Sequence, residues 1–165
     1  MKIEFLSSSP DCEILTTRIV NFPRELVYRA WTDPEHLKNW WGPAGFTNTF
    51  KEFDLRIGGK WIFVMHGPGN GNYVNECEFI KIEEPELVAW KRYSKPLFQV
   101  VAAFEEVTEN STKIIFRQIF DSEGECNKIK KYTFGKNDEN FDKLEVELSK
   151  MNTNRTATGD KNVPS

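Results

Sequence analysis

From Glu13 onward the apolar and polar positions fall into four successive stretches, and the changes between them outline the architecture. Glu13 to Phe22 carries Ile14, Leu15, Ile19 and Val20 among threonines and reads as a first strand. From Pro23 to Trp41 the spacing is helical. Pro23 suits a first helical position, where its missing N–H would be an orphan donor anyway. Leu26, Val27, Ala30 and Trp31 follow on one face. Thr32-Asp33-Pro34 stops this helix and starts another, with Asp33 as cap, Pro34 at the first position and Glu35 in the first turn. The second helix carries Leu37, Trp40 and Trp41, and Gly42-Pro43 ends it. Helices this short are not stable alone, so a larger apolar surface must receive them.

From Thr47 the period becomes two. Phe50, Phe53 and Leu55 belong to a second strand, and Ile57-Gly58-Gly59-Lys60 is a turn. Trp61, Phe63 and Met65 then alternate with Ile62, Val64 and His66. Further strands run over Tyr73–Ile82, Leu87–Tyr93, Gln99–Glu106 and Thr112–Phe120, with polar turns between them. Such spacing indicates an antiparallel meander. From about Cys126 the helical period returns: Phe141, Leu144 and Leu148 fall at i, i+3 and i+7, while Asp142, Lys143, Glu145 and Glu147 are free to face water. Residues 1–12 read as an N-terminal extension, 13–151 as one domain, and 152–165 as a disordered tail of low apolar content. The predicted class is α+β: a curved antiparallel sheet of about six to seven strands wrapped around a long C-terminal helix, with the two short helices between strands one and two closing one end. A cavity between sheet and helix fits this plan.

Charge narrows the partners. With 25 acidic and 22 basic residues the net charge is −3, and no basic stripe suggests a nucleic acid. No apolar run approaches the ~20 residues of a membrane span. The opening MKIEFLSSSPDCE has too short an apolar stretch for a signal peptide, so a cytoplasmic location is expected. Cys12, Cys77 and Cys126 are odd in number and far apart, which argues against disulfides or zinc; no metal or cofactor is expected.

Candidate chemistry is sparse. His36 is expected on the exposed side of the second helix, and His66 at the outward parity of the third strand; together they give no triad and no metal spacing. Cys77 lies between Glu76 and Glu78, which disfavour a thiolate. The Gly67–Asn72 loop lacks the Lys-Ser/Thr and helix of a phosphate cradle. No catalytic residue is assigned. Glu76, Glu78 and Arg117 sit within strands and fit a wet face; one pointing inward would supply an acid or base.

Aromatic content points elsewhere. Five Trp, thirteen Phe and four Tyr are many for one domain. The candidate ligand-contacting set is Trp31, Trp41 and Phe46 from the helical region; Trp61, Phe63 and Met65 from the third strand; Phe79, Phe104, Phe116 and Phe120 from other strands; and Phe141 and Leu144 from the last helix. The same residues serve equally as ordinary core, and both roles stand at this point.

PRELVYRAWTDPEHLKNWWGPAGF, then DLRIGGKWIFVMHGP, then FIKIEEPELV resemble the SRPBCC (START/Bet v1-like) superfamily. Within it, W-x-D-P-x-x-L-x-x-W-W followed by G-G-x-W resembles the branch related to the C-terminal domain of the activator of Hsp90 ATPase, over roughly Glu13 to Met151. The resemblance implies the helix-grip fold, with Trp61, Phe63 and Met65 facing inward. For function it implies a non-catalytic protein that holds a small hydrophobic or amphipathic ligand. The alternatives are a cyclase- or hydrolase-like enzyme using an acidic residue in the same cavity, and a chaperone-associated stress-response module. Similar members often carry a Gly-Trp pair before the last helical stripe; here the stretch reads Gly135-Lys136-Asn137-Asp138, which implies a pocket either opened or altered in shape. Edge strands allow a homodimer.

Overall fold

The computed structural model describes residues 13–133 and 135–162; the N-terminal extension 1–12 and the last residues of the expected tail, 163–165, lie outside that range. Strand β1 (Glu13–Val20) leads into helices α1 (Arg24–Thr32) and α2 (Pro34–Trp40). Strands β2 (Thr47–Phe53), β3 (Lys60–His66), β4 (Asn72–Glu83), β5 (Leu87–Arg92), β6 (Gln99–Thr108) and β7 (Ser111–Ile119) follow. Helices α3 (Glu123–Thr133) and α4 (Lys136–Asn162) complete the described chain. The seven strands form one antiparallel sheet in the order β1-β7-β6-β5-β4-β3-β2, so the first strand lies beside the last. Register shifts at Phe50/Glu52 in β2, Phe79/Lys81 in β4 and Glu106/Thr108 in β6 bend the strands and curve the sheet.

The local signals act as their chemistry dictates. Asp33 ends α1 and caps α2, its side chain accepting from the Glu35 N–H at 3.0 Å, with Pro34 at the first position. Trp40 Nε1 donates to Ala30 O at 3.0 Å and ties the two short helices together. Gly59 explains the G-G-x-W signature: a Cβ there would lie 2.0 Å from Asp54 O, a backbone atom that cannot swing aside as a side chain would. Gly59→Ala is therefore expected to destabilise the protein by about 1–3 kcal/mol, read from urea unfolding. A loss of only a few tenths would mean that the 54–59 turn yields freely.

Alternation sends Trp61, Phe63, Cys77, Phe79, Val88, Trp90, Val100, Ala102, Phe104, Ile114 and Phe116 to the concave face, all buried. Helix α4 lays Phe141, Leu144, Leu148 and Met151 against them, and α1 contributes Val27, Ala30 and Trp31. On the opposite face Ala89, Val101 and Ile119 form a smaller cluster with Ile80 and Leu87.

Three expectations need correction. The C-terminal helical region is two helices, broken at Gly135, whose φ of +77° favours glycine. Helical backbone also continues to Asn162, past Met151 where the apolar stripe stops and disorder was expected from residue 152. Finally, the polar flank of α4 does not simply face water. Asp142 and Glu145 pair with Arg18 at 2.8 and 2.9 Å. Lys143 and the buried Glu147 turn inward onto the helical region, where Glu147 Oε2 meets His36 Nδ1 at 2.9 Å. His36 is thus a packing partner of α4 rather than a surface residue, because α2 presents both its apolar residues and His36 to that helix.

Candidate functional site

Helix α4 and the α1–α2 pair fill one part of the concave face, and a cavity of about 730 Å³ remains beside them. Strands β3 to β7, the 41–46 segment, the 95–98 turn, the end of α3 and the start of α4 surround it. Its apolar wall includes Trp41, Phe46, Phe63, Met65, Trp90, Phe98, Val100 and Phe116. Polar groups enter at Asn75, Arg92, Gln118, Asn137 and Asn140. The volume lies within the ~300–1,000 Å³ of small-molecule sites, and the lining has their usual character, apolar with a few placed polar groups.

Lysine and asparagine side chains brace the segments around the cavity. Lys143 Nζ donates to Gly42 O, Pro43 O and Phe46 O at 3.2, 3.3 and 3.0 Å, so each of its N–H groups finds a carbonyl of the lining segment. Burial pushes its ammonium pKa down. Asn48 Nδ2 donates to Trp41 O at 2.8 Å and to Lys38 O at 3.2 Å, holding the chain as it leaves α2. At the other end Asn137 Nδ2 donates to Thr16 Oγ1 and Gln118 Oε1, both at 3.1 Å. The stretch without the Gly-Trp pair is part of the wall, since Lys136 and Asn137 both line the cavity.

Of the twelve ligand-contacting candidates, Trp41, Phe46, Phe63, Met65 and Phe116 line this cavity. Trp31, Trp61, Phe79, Phe104, Phe120, Phe141 and Leu144 are fully buried and do not line it. Trp31 shows why. Its ring contacts Trp40, Trp41, Trp90, Phe104, Phe116 and Phe141, at centroid distances of 4.7 to 6.4 Å, and fills the space between sheet and helices. An inward direction therefore does not by itself mean a cavity wall. Trp90, Phe98, Asn75, Arg92, Gln118 and Asn140 were missing from the sequence set. Strand parity carries a signal for several of them: Trp90 and Arg92 share the phase of Val88, Asn75 that of Cys77 and Phe79, and Gln118 that of Phe116.

Ionisable groups sort by the same alternation. Glu76 and Glu78 take the phase opposite to Asn75, Cys77 and Phe79. Glu78 bonds Lys60 at 3.1 Å and Tyr93, and those two hydrogen bonds hold its carboxyl below the usual range. Arg117 forks onto Glu13 at 2.7 and 3.0 Å on that same outer side. Cys77 lies on the cavity wall, but burial pushes its thiol up to about 12, so it stays neutral near pH 7. His66, at the end of β3, bonds Thr49 of β2 and Asn72 of β4. Among the described residues no group of three His, Cys, Asp or Glu could hold a metal, and no helix is long and apolar enough to cross a membrane.

Comparison with known proteins places this geometry. A family described as "Activator of Hsp90 ATPase homolog 1-like protein" matches residues 21–149. Among solved structures, a protein from Nitrosomonas europaea is similar at a TM-score of 0.80 and 19% identity, covering 88% of this chain and 99% of that one. One from Arthrobacter aurescens gives 0.79 and 21%, covering 90% and 92%. The AHSA1 protein from Silicibacter pomeroyi gives 0.67 and 18%, covering 83% and 97%. These likenesses concern the fold. No curated protein matches the chain.

Proposed function

The chain belongs to the family of activator of Hsp90 ATPase homolog 1-like proteins, and from that premise we propose that it is a non-catalytic binding protein whose cavity holds one small hydrophobic or amphipathic molecule. The observation that carries this reading is the ~730 Å³ cavity, walled by indole and phenyl rings and by a few fixed polar groups. A cyclase- or hydrolase-like reading needs an acidic residue in the same space. Among the described residues its lining includes no Asp, Glu or His, and Glu76 and Glu78 lie on the other face of β4. That contrast favours binding over catalysis. A role beside an Hsp90-type chaperone is suggested by the family description alone; an unchanged chaperone ATPase rate on adding the protein would remove it.

The test is solvent extraction of the natively purified protein with mass spectrometry of the extract, repeated on Val100→Phe. Val100 is buried on the wall, and the added ring occupies cavity space. We expect a stoichiometric apolar compound from the wild type and at least about a tenfold loss in the variant. The variant should remain folded, because a ring entering existing space meets less overpacking than one forced into a filled core. Equal ligand content in a folded Val100→Phe protein would show that the molecule sits elsewhere.

A further inference from the structure

The cavity wall is cationic in a chain whose net charge is negative. Arg92, Lys95 and Lys136 line it, whereas among the described residues no carboxylate does, although acidic residues outnumber basic ones in the whole chain by 25 to 22. Arg92 is the innermost of the three. It ends β5 on the same face as Trp90, and its guanidinium is half-buried. Every partner it has among the described residues is neutral. Nε donates to Pro96 O at 2.9 Å, Nη2 to Lys95 O at 3.0 Å, and Nη1 to Asn75 Oδ1, while the group lies 5.7 Å from the Phe98 ring centroid. Those contacts fix the plane of the fork and leave one N–H on each terminal nitrogen unengaged.

Burial without a counter-charge lowers the pKa of the Arg92 guanidinium, with only the Cys77 thiol acting against it. Of the other part-buried arginines, Arg18 pairs with Asp142 and Glu145 and Arg117 with Glu13, whereas Arg24, away from this cavity, has no ion pair among the described residues. A second unsatisfied group stands on the same wall. Asn140 is 6% exposed, and its Oδ1 is buried with no hydrogen-bond partner. A cavity built of aromatic rings and a fixed cationic fork suits a molecule with an apolar body and one anionic head, while the Asn140 Oδ1 is an acceptor open to a donor group such as a ligand hydroxyl.

We propose that the ligand is an amphipathic anion, with a carboxylate-like head paired to Arg92 and an apolar body against Trp41, Phe63, Trp90 and Phe116. This assignment rests on the cavity-binding reading above and adds the charge of the ligand to it. The Lys95 and Lys136 ammonium groups, both on exposed residues of the wall, add attraction without a fixed geometry.

The test compares three probes of equal chain length below their micellar concentrations: dodecanoate, 1-dodecanol and dodecyltrimethylammonium. Binding is followed by tryptophan fluorescence, since Trp41 and Trp90 line the cavity. In the wild type dodecanoate should bind roughly tenfold or more tighter than dodecanol, as expected for a charge-assisted hydrogen bond, and the cation more weakly than either. Arg92→Gln should reduce dodecanoate to the level of dodecanol and leave dodecanol unchanged, with Arg92→Lys intermediate. Equal affinity for dodecanoate and dodecanol in the wild type overturns the charge assignment while the cavity reading stands. Failure of all three probes to bind overturns both. Should Arg92→Gln not fold, since it braces the 95–96 turn, the wild-type ranking decides the matter, and Lys95→Gln should narrow the acid–alcohol gap.

Discussion

Trp31→Ala is expected to cost about 3–5 kcal/mol, more than any other single aromatic truncation away from the cavity. Native domains of this size hold only ~5–15 kcal/mol in reserve, so the variant should be largely unfolded at modest urea concentrations. The reason is position. Trp31 is 1% exposed and touches rings from α2, β5, β6, β7 and α4, so its loss opens a void where both layers meet. Its indole N–H has no hydrogen-bond partner among the described residues, which leaves packing as its contribution. Trp41→Ala makes the contrast. Trp41 is partly buried and borders the cavity, so its truncation should remove less stability and more ligand affinity. Urea unfolding followed by circular dichroism separates the two. A Trp31→Ala midpoint close to the wild type would show that the surrounding rings collapse into the space.

The strand–helix order is legible because each element states its own boundary. Pro23, Asp33 and Pro34 mark the ends of α1 and α2 through φ restriction and capping, and the alternation of Trp61, Phe63 and Met65 sets the inward phase of β3. Helix α3 is harder to see. EGECNKIKKYT has only Cys126 and Ile129 as inward apolar candidates, too few for a stripe, and the turn at Gly135 separates it from α4. The helical backbone to Asn162 is likewise invisible to composition, since the apolar period ends at Met151.

The site was half legible for a different reason. Periodicity tells which side of a strand a residue takes, and so it places Trp61, Phe63, Phe79 and Phe116 alike on the concave face. Which of them packs and which borders space depends on where α1, α2 and α4 come to rest. That is fixed by contacts between residues far apart in the chain, such as Lys143 on the 42–46 carbonyls and Arg18 on Asp142 and Glu145. Arg92 and Gln118 are hidden for another reason. Charge and polarity argue for the wet face, while strand phase argues for the interior, and here phase prevails because neighbouring carbonyls and an amide engage part of their polar groups and the cavity leaves room for the rest.

His36→Ala, outside the aromatic core, is expected to be the most damaging change after Trp31→Ala, at about 2–4 kcal/mol. The value stands below that of a fully buried pair because the His36 side chain is 23% exposed. Glu147 is 7% exposed at its side chain and accepts from His36 and, at 3.1 Å, from Asn39. Removing the imidazole leaves the carboxylate with the Asn39 amide alone, so most of the cost is the stranded charge rather than a lost attraction. The double variant His36→Leu/Glu147→Met removes both polar groups at similar volume and should recover to within about 1 kcal/mol of the wild type. A double-mutant cycle in urea measures this coupling directly. If the double variant were as unstable as His36→Ala, the imidazole would be contributing packing and not charge compensation. Because the pair seats α2 on α4, and α2 delivers Trp41 to the cavity, a recovered double variant should also retain ligand affinity. The His36–Glu147 hydrogen bond would then select the docking position of α2 without being required to hold it there.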